Sequence, residues 1–126
     1  MNVKIEKLKN LTPHTINLVR KDGSKVEIPS SGVIRVTEVT HVIGEIDGVK
    51  IISKHLSEIP FEAVKMVEEI LKDPEAGVIV SLIAAKALMK EIPQKLHDRI
   101  FIVGNTVRDS EGKVIGADAL TPASTL

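Results

Sequence analysis

The chain has 126 residues and a mass of 13.7 kDa, the size of one domain, long enough to bury a substantial core without staples. Its 17 Lys plus Arg are matched by 17 Asp plus Glu, so the basic surplus of a duplex-binding domain is missing; aromatic residues make up 2% (Phe61 and Phe101), which removes the usual stacking platform for single strands. Cysteine is absent, which excludes disulfides, thiolate zinc and a cysteine nucleophile, and no apolar run reaches the roughly 18 residues of a membrane span.

With no signal peptide at its start, the chain is expected to be soluble and cytoplasmic, binding neither membrane nor nucleic acid in general. Ile, Val, Lys and Glu are abundant and Gln occurs once, at Gln94, a pattern common in heat-adapted proteins.

In chain order, the first 56 residues read as strands. Short half-apolar pieces at 3–5 and 8–11 lead into Thr12 and Pro13, where proline interrupts a regular ladder. Ile16 and Leu18 alternate with polar residues on one side of Lys21-Asp22-Gly23-Ser24, and Val26 and Ile28 do so on the other. The Asp-Gly marks a hairpin, because glycine supplies the positive φ of the turn. A breaker cluster at 29–32 precedes an expected strand at 33–39. Residues 41–46 and 49–52 then flank Asp47-Gly48 as a second hairpin, rich in β-branched residues.

The middle, 57–97, changes period. Pro60 suits a first helical turn, and Phe61, Val64, Val67, Ile70 and Leu71 recur at helical spacing with charged residues opposite. Asp73-Pro74 ends this one-sided surface helix at 61–72. After the apolar run 77–80, Ser81 fits a helix N-cap, and 82–91 is apolar on most sides, as in a helix that is buried or lies between subunits. The stretch 98–119 returns as a C-terminal hairpin about the turn Asp109-Ser110-Glu111-Gly112, and 120–126 is expected to fray. The fold class is α+β, a single domain over 1–126 with N-terminal antiparallel hairpins, two central helices and a C-terminal hairpin. Glu-Ile-Pro occurs three times, but its flanks differ each time and define no repeat.

Catalytic constellations are missing. His14, His41, His55 and His97 stand at no metal-ligand spacing, so neither a metal nor a cofactor is expected. Ser81, between a strand and a helix, lacks the glycines of a nucleophile elbow and reads as a cap. Two polar clusters remain. Asn10, Thr12 and His14 flank Pro13, which pins their backbone; the cluster reads either as an ordinary turn or as a set of fixed contacts. Asn105, Thr106, Arg108 and Asp109 follow Gly104. Here the arginine either grips an anion through its planar fork or caps its own turn. Were Arg108 to fold back to the helix N-terminus at Ser81, the two would form a small anion site.

The stretches Leu11-Thr12-Pro13-His14, Ile28-Pro29-Ser30-Ser31-Gly32, Val42-Ile43-Gly44-Glu45-Ile46-Asp47-Gly48, Val78-Ile79-Val80-Ser81-Leu82 and Val107-Arg108-Asp109 resemble, in that order, small proteins carried by bacteriophages and prophages. This group is similar to the Thoeris anti-defence sponge proteins, which bind without cleaving the cyclic ADP-ribose signal made by a host TIR-domain enzyme. Relative to shorter members, the helix 61–72 looks like an insertion. The resemblance implies a homo-oligomer that sequesters a small cyclic nucleotide in the host cytoplasm. Asn10, Thr12, His14, Arg108 and Asp109 are the implied contacts, and Ser81, Asn105 and Thr106 join them from the cluster reading. With so few aromatics, Phe101, Ile83 or Leu88 would cover the base. Two other classes stay open: a hydrolase of such a ligand, with His14 and Asp109 as its acid–base pair, and a phage structural or interaction protein packed through the apolar helix 82–91.

Overall fold

Strands that run from three to nine residues cannot bury a face alone, and here six of them share one interior. The structure, a computed structural model, describes residues 2–126. After a 3-10 turn at Ile5–Lys7 come β1 (Leu8–Asn10), β2 (Ile16–Val19) and β3 (Lys25–Ile28). Then follow β4 (Glu38–Ile46), β5 (Val49–Leu56), helix α1 (Phe61–Leu71), β6 (Gly77–Ile79) and helix α2 (Leu82–Glu91). A 3-10 segment at Gln94–Arg99 leads into β7 (Ile100–Arg108) and β8 (Val114–Pro122). The class is α+β.

One sheet has the order β1-β6-β7-β8-β2-β3. Its two outer strands meet at a parallel bridge between Asn10 and Ser30, with the Ser31 N–H donating to the Asn10 carbonyl at 2.7 Å. That contact closes the sheet at one end into a six-stranded barrel. Every strand sends an apolar residue inward: Leu8, Ile79, Phe101, Ala117, Leu18 and Ile28 form one buried cluster, and Val3 and Ile5 pack against it. The opposite side of the β6–β7 wall carries the helices. Val67 and Leu71 of α1, Ala85 and Leu88 of α2, and Val78, Val80 and Ile100 form the larger core, each buried side chain contributing about 1.5–3 kcal/mol for Val, Leu or Ile.

The expected hairpins form at β2–β3, β4–β5 and β7–β8. Three other pairings are parallel, β1 with β6, β6 with β7 and β2 with β8, and antiparallel hairpin logic does not anticipate them. Residues 3–5 enter a 3-10 turn rather than a strand. The expected strand at 33–39 is irregular up to Thr37, because Ile34 is drawn into the helical core while its neighbours connect barrel to hairpin. The tail does not fray: β8 runs to Pro122, Ala123 is fully buried, and a 3-10 turn closes the chain at Ala123–Thr125. Helix α1, read as an insertion, supplies Val64, Val67 and Leu71 to the core. Helix α2 buries Ala84, Ala85, Ala87 and Leu88 within its own subunit, so its apolar character is spent on the domain's core.

Candidate functional site

The first polar cluster is built around Asn10, which is fully buried. Its amide Nδ2 donates to the carbonyls of His14 (2.7 Å) and Ile28 (2.9 Å), and its Oδ1 accepts from the Thr12 N–H (3.0 Å) and Thr12 Oγ1 (2.6 Å). A buried amide with all of this capacity used acts as a clamp: it ties the end of β1 to β3 and folds the Thr-Pro-His turn across the top of the barrel. Thr12 faces inward to this clamp, and His14 takes part through its carbonyl, its side chain lying exposed.

The second cluster holds its own turn. Arg108 Nη1 donates to the Gly112 carbonyl at 2.7 Å, and Asp109 Oδ1 accepts from the N–H groups of Glu111 (2.9 Å) and Lys113 (3.0 Å). Asn105 Nδ2 donates to Asp118 Oδ1 across the ribbon at 2.7 Å. Of the two readings of Arg108, the turn-capping one describes its observed partner. Ser81 accepts the Ala84 N–H on its Oγ at 3.2 Å, a regular N-cap. The structure does not bring Arg108 to it. Val80 pairs with Phe101 through its N–H, and Arg108 lies seven residues further along β7, about 20 Å at the rise of a strand.

The two motif regions do approach one another through the residues that flank them. Beyond the barrel, β7 and β8 continue as a two-stranded ribbon to Arg108 and Val114, and β8 lies parallel to β2 at Leu18–Ala117. Between this ribbon and the start of β2 is a cleft of about 410 Å³. Residues 15–17, immediately after the Leu-Thr-Pro-His stretch, form one wall; Val103, Thr106 and residues 113–117 form the other. Thr15, Asn17, Thr106 and Lys113 are the cleft's polar lining residues, beside Ile16, Val103, Val114 and Ile115. No carboxylate lines the cleft, so its formal charge is +1 from Lys113. The close fit of β8 to β2 shapes its floor: a Cβ on Gly116 would lie 2.8 Å from the Asn17 carbonyl oxygen.

Thr106 is the one residue named from the sequence clusters that lines this cleft. Phe101 belongs to the barrel interior and Leu88 is fully buried in the helical core, so neither can cover a ligand there, and Ile83 lies on α2 outside the lining. Thr15, Asn17 and Lys113 belong to neither polar cluster; their signal in the sequence is their place beside each motif, Thr15 and Lys113 just before β2 and β8 and Asn17 within β2.

Two further polar groups have structural partners. Arg99 donates to the carbonyls of Leu71 (2.8 Å), Asp73 (2.8 Å) and Ala76 (2.9 Å), closing the C-terminal end of α1. The ring of the buried His97 lies 2.8 Å from the Ile92 carbonyl through Nε2. Among the described residues, no group of three or more His, Cys, Asp or Glu side chains is placed to hold a metal, and no helix is long and apolar enough to cross a membrane. No protein-family model, curated protein or solved structure matches the chain.

Proposed function

We propose that the chain is a non-enzymatic binding protein that holds a small nucleotide-type ligand in the cleft between β2 and the β7–β8 ribbon. The observation that carries this reading is the lining itself. A 410 Å³ cleft falls in the size range of small-molecule sites, and a mainly aliphatic lining with two threonines, an asparagine and a lysine has the composition to take a sugar-phosphate beside an apolar base. In the particular form implied by the resemblance, the ligand is a cyclic ADP-ribose signal, and the protein sequesters it for a phage as a homo-oligomer. Of the residues named from the sequence, Asn10, Thr12, Arg108 and Asp109 fix the two turns beside the cleft and Thr106 lines it; Thr15, Asn17 and Lys113, which the sequence reading does not name, join Thr106 against the ligand.

The test is calorimetric titration with cyclic ADP-ribose, followed by denaturation and mass spectrometry of what is released. Expected are saturable binding, recovery of intact ligand, and a ten- to hundredfold weaker affinity for Lys113→Ala, about what one charge-assisted hydrogen bond is worth. Recovery of a linear product would instead support the hydrolase. That reading has less geometry behind it, since the Asp109 carboxylate is taken up by the Glu111 and Lys113 N–H groups and His14 joins the turn through its carbonyl alone. Absence of binding would leave the interaction-protein reading, which the exposed aliphatic residues of β4 and β5 favour.

A further inference from the structure

The hairpin β4–β5 is joined to the rest of the chain at its base, where the Ser57 N–H donates to the Thr37 carbonyl at 2.8 Å. It forms a separate two-stranded sheet that no other strand extends. Two of the four histidines lie on it, His41 on β4 and His55 on β5. His14 joins the Asn10 clamp through its carbonyl, and the His97 ring is the one histidine ring with a hydrogen bond among the described residues. His41 and His55 are both exposed, so their ring nitrogens are open to solvent and to a ligand.

The register brings these two rings together. Val39 stands opposite His55 and His41 opposite Ser53, which makes the histidines diagonal neighbours on one face of the ribbon. Their ring centres are 5.0 Å apart and their planes 10° from parallel. Alternation puts the charged residues of both strands on the other face. Thr40 pairs with Lys54 there and Glu45 with Lys50, and Glu38 reaches Lys54 at 3.4 Å. No ammonium on the histidine face repels a cation, and no carboxylate engages either ring.

The separation of the rings fits a shared ion. A metal about 2.0–2.1 Å from a ring nitrogen lies about 3.2 Å from that ring's centre. Two rings bound at a tetrahedral angle then have centres about 5 Å apart. The ribbon therefore already holds the imidazoles at the spacing of a chelate, and rotation about each Cβ–Cγ bond turns one nitrogen of each toward a common point. Neutral nitrogen donors select Zn²⁺, Ni²⁺ or Cu²⁺ over Mg²⁺ and Ca²⁺, which take oxygen.

We propose that His41 and His55 form a two-imidazole site for a divalent transition-metal ion, with water completing its coordination, and that the bound ion clips β4 to β5. A two-stranded ribbon is marginal in water, and an ion bound only by the paired strands stabilises the pairing by mass action. The assignment is independent of the ligand cleft and stands or falls apart from it.

The test is calorimetric titration of the full chain with Zn²⁺ alone. One ion per chain should bind, with saturation below about 1 mM. His41→Ala and His55→Ala should each weaken binding at least tenfold, whereas His14→Ala, at an exposed histidine outside the arm, should leave it unchanged. Hydrogen exchange gives a readout that does not depend on any variant: Zn²⁺ should slow exchange of the β4–β5 amides in the wild-type chain. Failure to saturate, an affinity that survives loss of either arm histidine, or an equal loss in His14→Ala would each overturn the proposal. So would slowed exchange confined to residues outside the arm.

Discussion

The barrel and the β4–β5 arm are made from similar sequence, short runs of Val, Ile and charged residues around Asp-Gly turns, yet they solve opposite problems. In the barrel each strand has a neighbour on both sides near the Asn10–Ser30 closure, and its aliphatic residues point into a shared interior. Among the described residues, no buried side-chain nitrogen or oxygen there or elsewhere lacks a hydrogen bond. In the arm two longer strands pair only with each other, and both faces meet solvent. An isolated two-stranded ribbon is marginal in water, so the arm depends on its Asp47-Gly48 turn and on its anchoring at Thr37 and Ser57. Both turn residues take positive φ (47° and 85°), the twist that suits a two-residue hairpin. A region with a closed interior thus carries the fold, and the arm keeps its aliphatic residues at the surface.

The comparison predicts that substitutions of equal size act very differently in the two regions. The largest effect should come from Asn10→Ala. It strands the His14 and Ile28 carbonyls and the Thr12 N–H at the barrel closure, at about 1–3 kcal/mol for each group that water cannot reach. A total of roughly 3–4 kcal/mol would lower the melting temperature by about 10–20 °C in a domain of this size. If differential scanning calorimetry showed a loss of only a degree or two, the closure would not be a keystone of the barrel.

A pair of strand glycines sharpens the contrast. Gly116 on β8 has backbone against it, the Asn17 carbonyl oxygen at 2.8 Å from a Cβ, so Gly116→Ala must push β8 from β2 and should cost about 1–3 kcal/mol. On the arm, a Cβ at Gly44 meets only Ile51 Cδ1 at 3.7 Å, an ordinary contact. Gly44→Ala should therefore leave stability unchanged or raise it by roughly 0.5 kcal/mol. Denaturant midpoints of the two variants check this directly. Equal destabilisation of both would mean that the arm is packed as tightly as the barrel.

Smaller still is the effect expected on the arm's exposed face. Val42→Ser should change the monomer's unfolding free energy by no more than about 0.5 kcal/mol, since the side chain is 63% exposed. Chemical denaturation checks it, and a loss of more than about 1 kcal/mol would mean that Val42 is packed within the chain.

Local chemistry made part of this legible in the sequence. Asp-Gly turns placed two hairpins, helical spacing placed α1, and Ser81 with Pro93 bounded α2, because turns and caps are decided by neighbouring residues. The parallel pairings and the Asn10–Ser30 closure were hidden, since they join segments whose spacing in the chain carries no turn signal. Alternation in β4 and β5 looked like that of any half-buried strand; period two says that faces differ and does not say whether either is covered. For the candidate cleft the sequence pointed to the neighbourhood and not to the lining: the polar side chains of both motif clusters are held by their own turns, and the residues just before β2 and β8, Thr15 and Lys113, line the cleft instead.

The smallest expected effect is electrostatic and belongs to the barrel's lower edge. Lys7, just before β1, places its ammonium 2.9 Å from Glu75 and 3.1 Å from Asp73 in the loop between α1 and β6. The hydrogen bond to Glu75, then that to Asp73, holds the Lys7 pKa above its ordinary value. The Glu75 N–H, then the Lys7 ammonium, holds the Asp73 carboxyl below its own. All three side chains are well exposed, so solvent and salt screen the cluster. Because Asp73 is depressed, its contribution is present above the ordinary carboxylate value and is lost as pH falls through the lowered one. Because Lys7 is raised, its contribution is complete below the ordinary lysine value and is lost as pH rises through the higher one. Lys7→Met should therefore melt slightly below wild type at neutral pH, and the gap should narrow on acidification below about pH 4. It should narrow as well in strong alkali and in high salt. A gap that persists unchanged at low pH would trace the loss to the packing of the lysine stem instead, and the barrel's edge would owe nothing to charge.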